Sequence, residues 1–159
     1  MGVTHIAAGR GMQHTGHGAD IAPRAELFAH DADVGVRGIG PTLESAFEQT
    51  GLALTMAVTD PAGVRPTQAV EVACTAPDSR FLLVDWLNAL IYEMSTHRLV
   101  FARFDVSIAS GELHGRAWGE PVDPLRHKPA TEPKGATLTA LRVSPRAEGG
   151  WVAQCIVDV

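Results

Sequence analysis

The sequence predicts a single α+β domain in which two helices pack on a mainly antiparallel or mixed β-sheet. Two segments repeat apolar residues at helical spacing, and short strand-like segments flank each of them. The 159 residues suffice for one hydrophobic core, and neither an internal repeat nor a second core is visible. Residues 1–22 are small, polar and glycine-rich, so we expect a flexible tail followed by a domain over residues 23–159.

The first half of the domain is predicted to run strand, strand, helix, strand. AELFAH is the first strand, and Val34, Val36 and Ile39 mark a second extended piece. In PTLESAFEQTGLALTMAVTD, Thr42 is a good helix N-cap, and Pro61 cannot continue the helix. QAVEVACT then alternates as a strand over about residues 68–75.

The second half is predicted to be one helix followed by four strands. RFLLVDWLNALIYEM has the clearest helical period in the chain, and Asp78 or Ser79 caps it. LVFARFDVSIA and LHGRAWGE form a hairpin, and ATLTALRVS and GWVAQCIVDV are the last two strands. Between them, residues 119–135 hold four prolines without any period, which indicates a loop that is functional or disordered.

Charge and composition exclude several classes of protein. The net charge is −5 and no run of lysine or arginine occurs, so direct, strong nucleic-acid binding is not expected. No apolar run could cross a membrane and no signal peptide is visible, so we expect a cytoplasmic protein. Cys74 and Cys155 lie in apolar strands and are expected to be reduced, buried thiols.

Carboxylates suggest one candidate cation site. Ca²⁺ and Mg²⁺ prefer oxygen ligands, which Asp31, Asp33, Asp158 and the terminal carboxylate of Val159 offer. The site requires the last strand to lie beside the HDAD segment. The alternative is a turn in which the aspartates accept backbone N–H groups.

Other polar residues remain ambiguous from the sequence. His30 is a metal ligand, a base or a strand-end histidine bonded to backbone, and Lys134 either meets a phosphate or carboxylate or is solvated. Trp118 and Trp151 are expected in the core. Asp85 and Asn88 are expected to face solvent. The loop residues Glu120, Asp123, Arg126 and His127 have the same ambiguity as Lys134. The N-terminal histidines His5, His14 and His17 are loosely spaced metal ligands at most.

Common enzyme signatures are missing. The sequence has no GxSxG, P-loop, HExxH or GxGxxG motif, and RGIGPTLES lacks the lysine and glycine spacing of a phosphate loop. The residues therefore offer ligands without a recognisable nucleophile.

Five segments in order resemble the archease family. HDADVGVRGIGPTLESAFEQTGLALTMAVTD resembles the family's H-x-A-D-[IV]-G start and first helix, and LLVDWLNALIYEMSTHRLVFARF resembles its second helix and next strand. GEPVDPLRHKP, TEPKGAT and GGWVAQCIVDV match later segments, so the resemblance covers about residues 25–159.

The resemblance implies an α+β protein cofactor that is not itself an enzyme. Archeases assist the GTP- and metal-dependent tRNA-splicing RNA ligase by promoting its guanylylation and multiple turnover. By position, the resemblance assigns a divalent cation (Ca²⁺ or Mg²⁺) to Asp33, Asp158 and Val159, and the working lysine to Lys134.

The sequence departs from the family at three positions. Leu138 and Thr139 stand where a tyrosine and a histidine are usual, and Asp31 stands where threonine is typical.

Two other functions compete with a ligase activator. One is a general chaperone or assembly factor, and the other is a small metal-dependent phosphohydrolase that uses His30, Asp31 and Asp33.

Overall fold

The computed structural model describes residues 21–159, and residues 1–20 of the expected tail, with its three histidines, lie outside this range. Eight strands and two long helices form one α+β domain. The first half contains β1 (Arg24–His30), β2 (Asp33–Gly40), α1 (Leu43–Val58), a 3₁₀ turn (Pro61–Gly63) and β3 (Gln68–Thr75). The second half contains α2 (Ser79–Thr96), β4 (Leu99–Ala109), β5 (Glu112–Pro121), α3 (Pro124–His127), β6 (Gly135–Ala136), β7 (Arg142–Pro145) and β8 (Trp151–Asp158).

The strands form two antiparallel sheets, where the sequence suggested one. The larger sheet has the order β1-β2-β8-β6, with β7 also paired to β8, and the smaller has the order β3-β5-β4. Alternation of side chains identifies strands but does not say which strands pair, because pairing depends on contacts distant in sequence. The described fold class is otherwise the predicted one.

Both long helices begin where capping chemistry predicts. The Thr42 side chain accepts a hydrogen bond from the Ser45 N–H at 3.1 Å, and Asp78 accepts from the Arg80 N–H at 2.8 Å. The predicted apolar faces are buried, with Phe47 and Leu54 on α1 and Trp86 and Leu90 on α2 at most 1% exposed. They join one core between the two sheets.

α1 lies against both sheets and satisfies their backbone groups. Thr50 Oγ1 donates to the Ala153 carbonyl of β8 at 3.1 Å, and Thr55 Oγ1 donates to the Phe101 carbonyl of β4 at 2.7 Å. Glu48 accepts the Val106 N–H of β4 at 3.0 Å. Burial raises the pKa of the Glu48 carboxyl. These bonds fix the helix between the sheets and cover polar groups on β4.

The glycines of β2 serve close packing. A Cβ at Gly38 would lie 2.0 Å from the Ala46 carbonyl oxygen and 2.4 Å from the Thr50 nitrogen of α1. A Cβ at Gly35 would lie 2.3 Å from the Phe28 ring. The glycine-rich pattern after HDAD therefore lets α1 and Phe28 approach the strand.

Three expectations about single elements need correction. ATLTALRVS is split into β6 and β7 by a turn in which Ala140 has a φ of 52°. Trp118 is only half-buried and lies under Arg103, whose guanidinium carbon is 4.4 Å from the ring centre, whereas Trp151 packs against the core. Cys155 is buried, which raises its thiol pKa to about 12, but Cys74 is half-buried.

Candidate functional site

The HDAD segment forms a tight hairpin turn, and it places the Asp33 carboxylate at the end of a strand. His30 pairs with Asp33, so Asp31 and Ala32 form a two-residue turn. Asp31 has a φ of 50°, a left-handed conformation that aspartate tolerates better than most residues. The carboxylate of Asp33, the first residue of β2, is thereby held at the end of the strand.

The last strand lies beside β2, as the candidate site requires. Val34 pairs with Val157, and one further step in this register sets Asp33 opposite Asp158. Side chains directly opposite on antiparallel strands share a face, with Cβ atoms about 4.5–5.5 Å apart. The Val159 N–H also donates to Asp33 Oδ1 at 3.4 Å. Two acidic residues from opposite ends of the domain therefore lie at the same end of neighbouring strands.

The backbone of Lys134 lies beside Asp158 on the other side of β8. Its backbone N–H donates to the Asp158 carbonyl at 2.8 Å, and the following Gly135 pairs with Asp158. The Ala136 N–H donates to Asn88 Oδ1 of α2 at 2.8 Å. Asn88 is exposed as expected, but it also holds β6, a role that the sequence did not indicate.

Residues 122–134, here called the lysine loop, connect β5 to β6 and carry Lys134. The middle of the loop closes the C-terminus of α1, because the Ala130 N–H donates to the Val58 carbonyl at 2.8 Å and Thr131 Oγ1 donates to the Ala57 carbonyl at 2.7 Å. Thr59 Oγ1 donates to the His127 carbonyl at 2.6 Å. The helix end and the loop thus satisfy each other's polar groups.

A buried cluster of polar side chains holds the start of the lysine loop. The Glu120 carboxylate accepts hydrogen bonds from the Arg126 guanidinium and the Arg65 backbone N–H, and His127 Nε2 lies 3.5 Å away. The hydrogen bond from Arg126 lowers the pKa of Glu120 from 4.5 to about 2. Glu120 is 7% exposed, so this carboxylate is a structural anchor and not a solvated loop residue.

A cleft of about 380 Å³ lies beside the site. It is lined mainly by apolar groups from the lysine loop, the ends of both long helices and the start of β4, including Val58, Met94, Leu99, Val122, Ala130 and Pro133.

His30 and Asp31 do not join the carboxylate pair as a metal centre. The Asp31 side chain is 93% exposed, and its carboxylate lies 4.0 Å from His30 Nδ1. Across residues 21–159, no three His, Cys, Asp or Glu side chains lie where they could hold a metal ion together. The trio that a phosphohydrolase would use is therefore not assembled.

The donors at Asp33 and Asp158 fit a hard cation. Like charges at directly opposite positions on neighbouring strands are unfavourable, and a divalent cation bound between them would offset that cost. Carboxylate and main-chain oxygens are ligands that Ca²⁺ and Mg²⁺ accept. Since such cations take six to eight oxygens, about half of the ligands would come from water or from a partner.

Comparison with known proteins identifies the family. The sequence model of the Archease protein family (MTH1598/TM1083) matches residues 26–159. The chain belongs to the archease family. The archease of Pyrococcus furiosus is 33% identical over 138 residues, which are 84% of this chain and 97% of that protein. The archease of Thermococcus gammatolerans is 36% identical over 140 residues, covering 86% and 99%.

The fold also agrees with that of a solved relative. The solution structure of Methanobacterium thermoautotrophicum protein 1598 superposes with a TM-score of 0.73 at 31% identity, and the match covers 85% of this chain and 98% of that one. No helix among residues 21–159 is long and apolar enough to span a membrane. The expectation of a cytoplasmic protein stays a prediction.

Proposed function

We propose that this archease activates the GTP- and metal-dependent tRNA-splicing RNA ligase, promoting ligase guanylylation and multiple turnover. The supporting observation is that Asp33, Asp158 and Lys134 meet at one end of the larger sheet. By resemblance, these are the positions that correspond to the family's working residues. The chain acts as a protein cofactor and performs no ligation itself.

In this proposal Asp33, Asp158 and a main-chain oxygen of Val159 hold a divalent cation. Lys134 adds a positive charge beside it, so the site could meet a triphosphate or a metal-bound carboxylate of the ligase. The chain has no run of lysine or arginine for extended contacts with an RNA backbone, so the proposed target is the metal and nucleotide site of the ligase. Activation would follow from positioning the triphosphate while the ligase is guanylylated.

The chaperone alternative gains little support from the described surface. The exposed large apolar side chains are Leu27, Met56, Phe81, Tyr92, Leu125 and Leu138. Leu27 and Met56 line a common hollow, and the other four do not line it. Scattered apolar side chains of this kind are normal on folded proteins.

The proposal is tested by ligase guanylylation with GTP, measured with wild-type protein and with Lys134→Ala. The account expects rapid guanylylation with the wild type and near-basal guanylylation with Lys134→Ala. Full stimulation by Lys134→Ala would remove Lys134 from the site and refute the proposed mechanism.

A further inference from the structure

Glu120 lies at the point where β5 passes into the lysine loop. Its carboxylate accepts from the guanidinium of Arg126, six residues later, and from the backbone N–H of Arg65, 55 residues earlier. Arg126 also donates to the Gly63 carbonyl at 2.7 Å. The hydrogen bonds of Glu120 and Arg126 therefore attach the start of the lysine loop to the 3₁₀ turn and to the residues that follow it.

His127 extends these ties toward α1. Its Nδ1 accepts the Asp123 N–H at 2.8 Å, so in a neutral imidazole the proton lies on Nε2, which faces Glu120 Oε2 at 3.5 Å. The His127 side chain is 1% exposed, and its backbone carbonyl is the one that Thr59 binds. The Glu120 carboxylate therefore lies beside His127 without a hydrogen bond to it, and the His127 backbone is fixed to the end of α1 by Thr59.

Further hydrogen bonds fix the lysine loop along its length as far as Lys134. Ala130 and Thr131 bond to the last carbonyls of α1, and the Lys134 N–H bonds to Asp158. Outside the four residues of α3, the loop has no helix or strand to order it. Its conformation therefore depends on these hydrogen bonds, which include those to the buried Glu120 carboxylate.

We propose that Glu120 is a positioning residue for Lys134: its buried carboxylate, bound by Arg126 and facing His127, orders the lysine loop and holds Lys134 beside Asp33 and Asp158. This inference rests on the proposed function for its effect on the ligase. Loss of the Glu120 charge would loosen the loop from its start and leave the two sheets intact, because β5 is separately paired with β3 and β4.

The chain itself provides a selective probe of this loop. Lys128 and Lys134 are the only lysines in the whole sequence. A lysine-specific protease can cut after Lys128 and after Lys134, and mass spectrometry of the fragments identifies the cut at Lys134–Gly135. Cutting there requires the backbone around Lys134 to leave β8, and the cleavage rate therefore reports opening of the loop.

The experiment compares Glu120→Gln with Glu71→Gln in the full-length protein, using lysine-specific proteolysis and ligase guanylylation. Glu71 is a matched control, because it also binds an arginine, Arg116 at 2.6 Å, but on the exposed face of the smaller sheet. We expect Glu120→Gln to raise cleavage by about ten- to a hundredfold, the range for losing one charge-assisted hydrogen bond. Guanylylation should fall toward the level of Lys134→Ala, and Glu71→Gln should change neither rate.

The dependence of cleavage on urea separates loop opening from global unfolding. Opening of the loop alone exposes little surface, so cleavage of Glu120→Gln should vary weakly with low urea. Cleavage that rises as steeply as global unfolding, or that stays at the wild-type rate, would overturn the inference. If Glu120→Gln does not fold, Thr59→Val, which deletes only the bond to His127, should give the same local cleavage.

Failure of the proposed function has a different signature. Lys134→Ala that still activates the ligase fully would refute that function, whereas the proteolysis result judges the anchoring of the loop without any ligase. Faster local cleavage of Glu120→Gln with undiminished guanylylation would refute its positioning role.

Discussion

The Val159 backbone N–H donates to Asp33 Oδ1 across 3.4 Å, and so joins residues 126 positions apart in the sequence. This contact exists because β8 lies next to β2 in the larger sheet. The same register sets Asp33 opposite Asp158 at the end of the two strands, and the proposed cation site depends on that arrangement.

The first prediction separates Asp33 from its neighbour Asp31. Asp33→Asn keeps the shape and the acceptor for Val159 but removes one charge. Ca²⁺ or Mg²⁺ affinity, measured by calorimetry, should therefore fall by about tenfold or more. Asp31→Asn should bind the cation as the wild type does, because Asp31 is 93% exposed and asparagine tolerates its turn conformation. Equal losses of cation affinity in both variants would show that affinity depends on net charge and not on the position of Asp33.

The second prediction uses the only two lysines of the chain. Lys134→Ala should reduce stimulation of ligase turnover by about tenfold or more if the charge contacts a phosphate. Lys128→Ala should stimulate normally, since Lys128 lies in the same loop and is equally charged. Similar activity of the two variants would mean that the position of the charge is unimportant.

The third prediction concerns the contact between α1 and β2. Gly38→Ala should lower the free energy of unfolding by about 3 kcal/mol, because its Cβ would meet the backbone of α1 at 2.0 Å. Gly63→Ala is the control, since no atom lies within 4 Å of its added Cβ. Urea unfolding of both variants measures the difference. Wild-type stability of Gly38→Ala would contradict the close approach.

The fourth prediction concerns acid stability. The pKa of Glu120 is about 2 in the folded protein, against 4.5 for an ordinary glutamate, chiefly because of its hydrogen bond with Arg126. A folded-state pKa below the unfolded value means that the contribution is fully present above about pH 4.5 and is lost as the pH falls toward about 2. Urea unfolding between these pH values should show a weaker loss of stability in Glu120→Gln than in the wild type. Parallel pH profiles would contradict the assignment.

Local signals in the sequence located most of the elements. The predicted β3 matches Gln68–Thr75, and the Thr42 and Asp78 caps begin the two long helices. These features depend on periodicity and on hydrogen bonds within a few residues, which the sequence displays directly. The hairpin of β4 and β5 was predictable for the same reason.

Features that depend on distant residues were not predictable from local patterns. The division into two sheets, the Asn88 bond to Ala136 and the anchoring of the lysine loop all join separate segments. Residues 119–135 have no period because α1, β8 and the Glu120 cluster determine their course. The resemblance to archeases suggested the meeting of Asp33, Asp158 and Lys134, whereas the residues alone left it open.

The most direct test is multiple-turnover RNA ligation by the cognate ligase, without this protein, with the wild type and with Asp33→Asn or Lys134→Ala. The account predicts that the wild type raises both turnover and ligase guanylylation, and that each variant loses most of that gain while remaining folded. Ligation that is unchanged by folded wild-type protein would contradict the activator function. Equal stimulation by the wild type and both variants would contradict the assignment of Asp33 and Lys134 to the functional site.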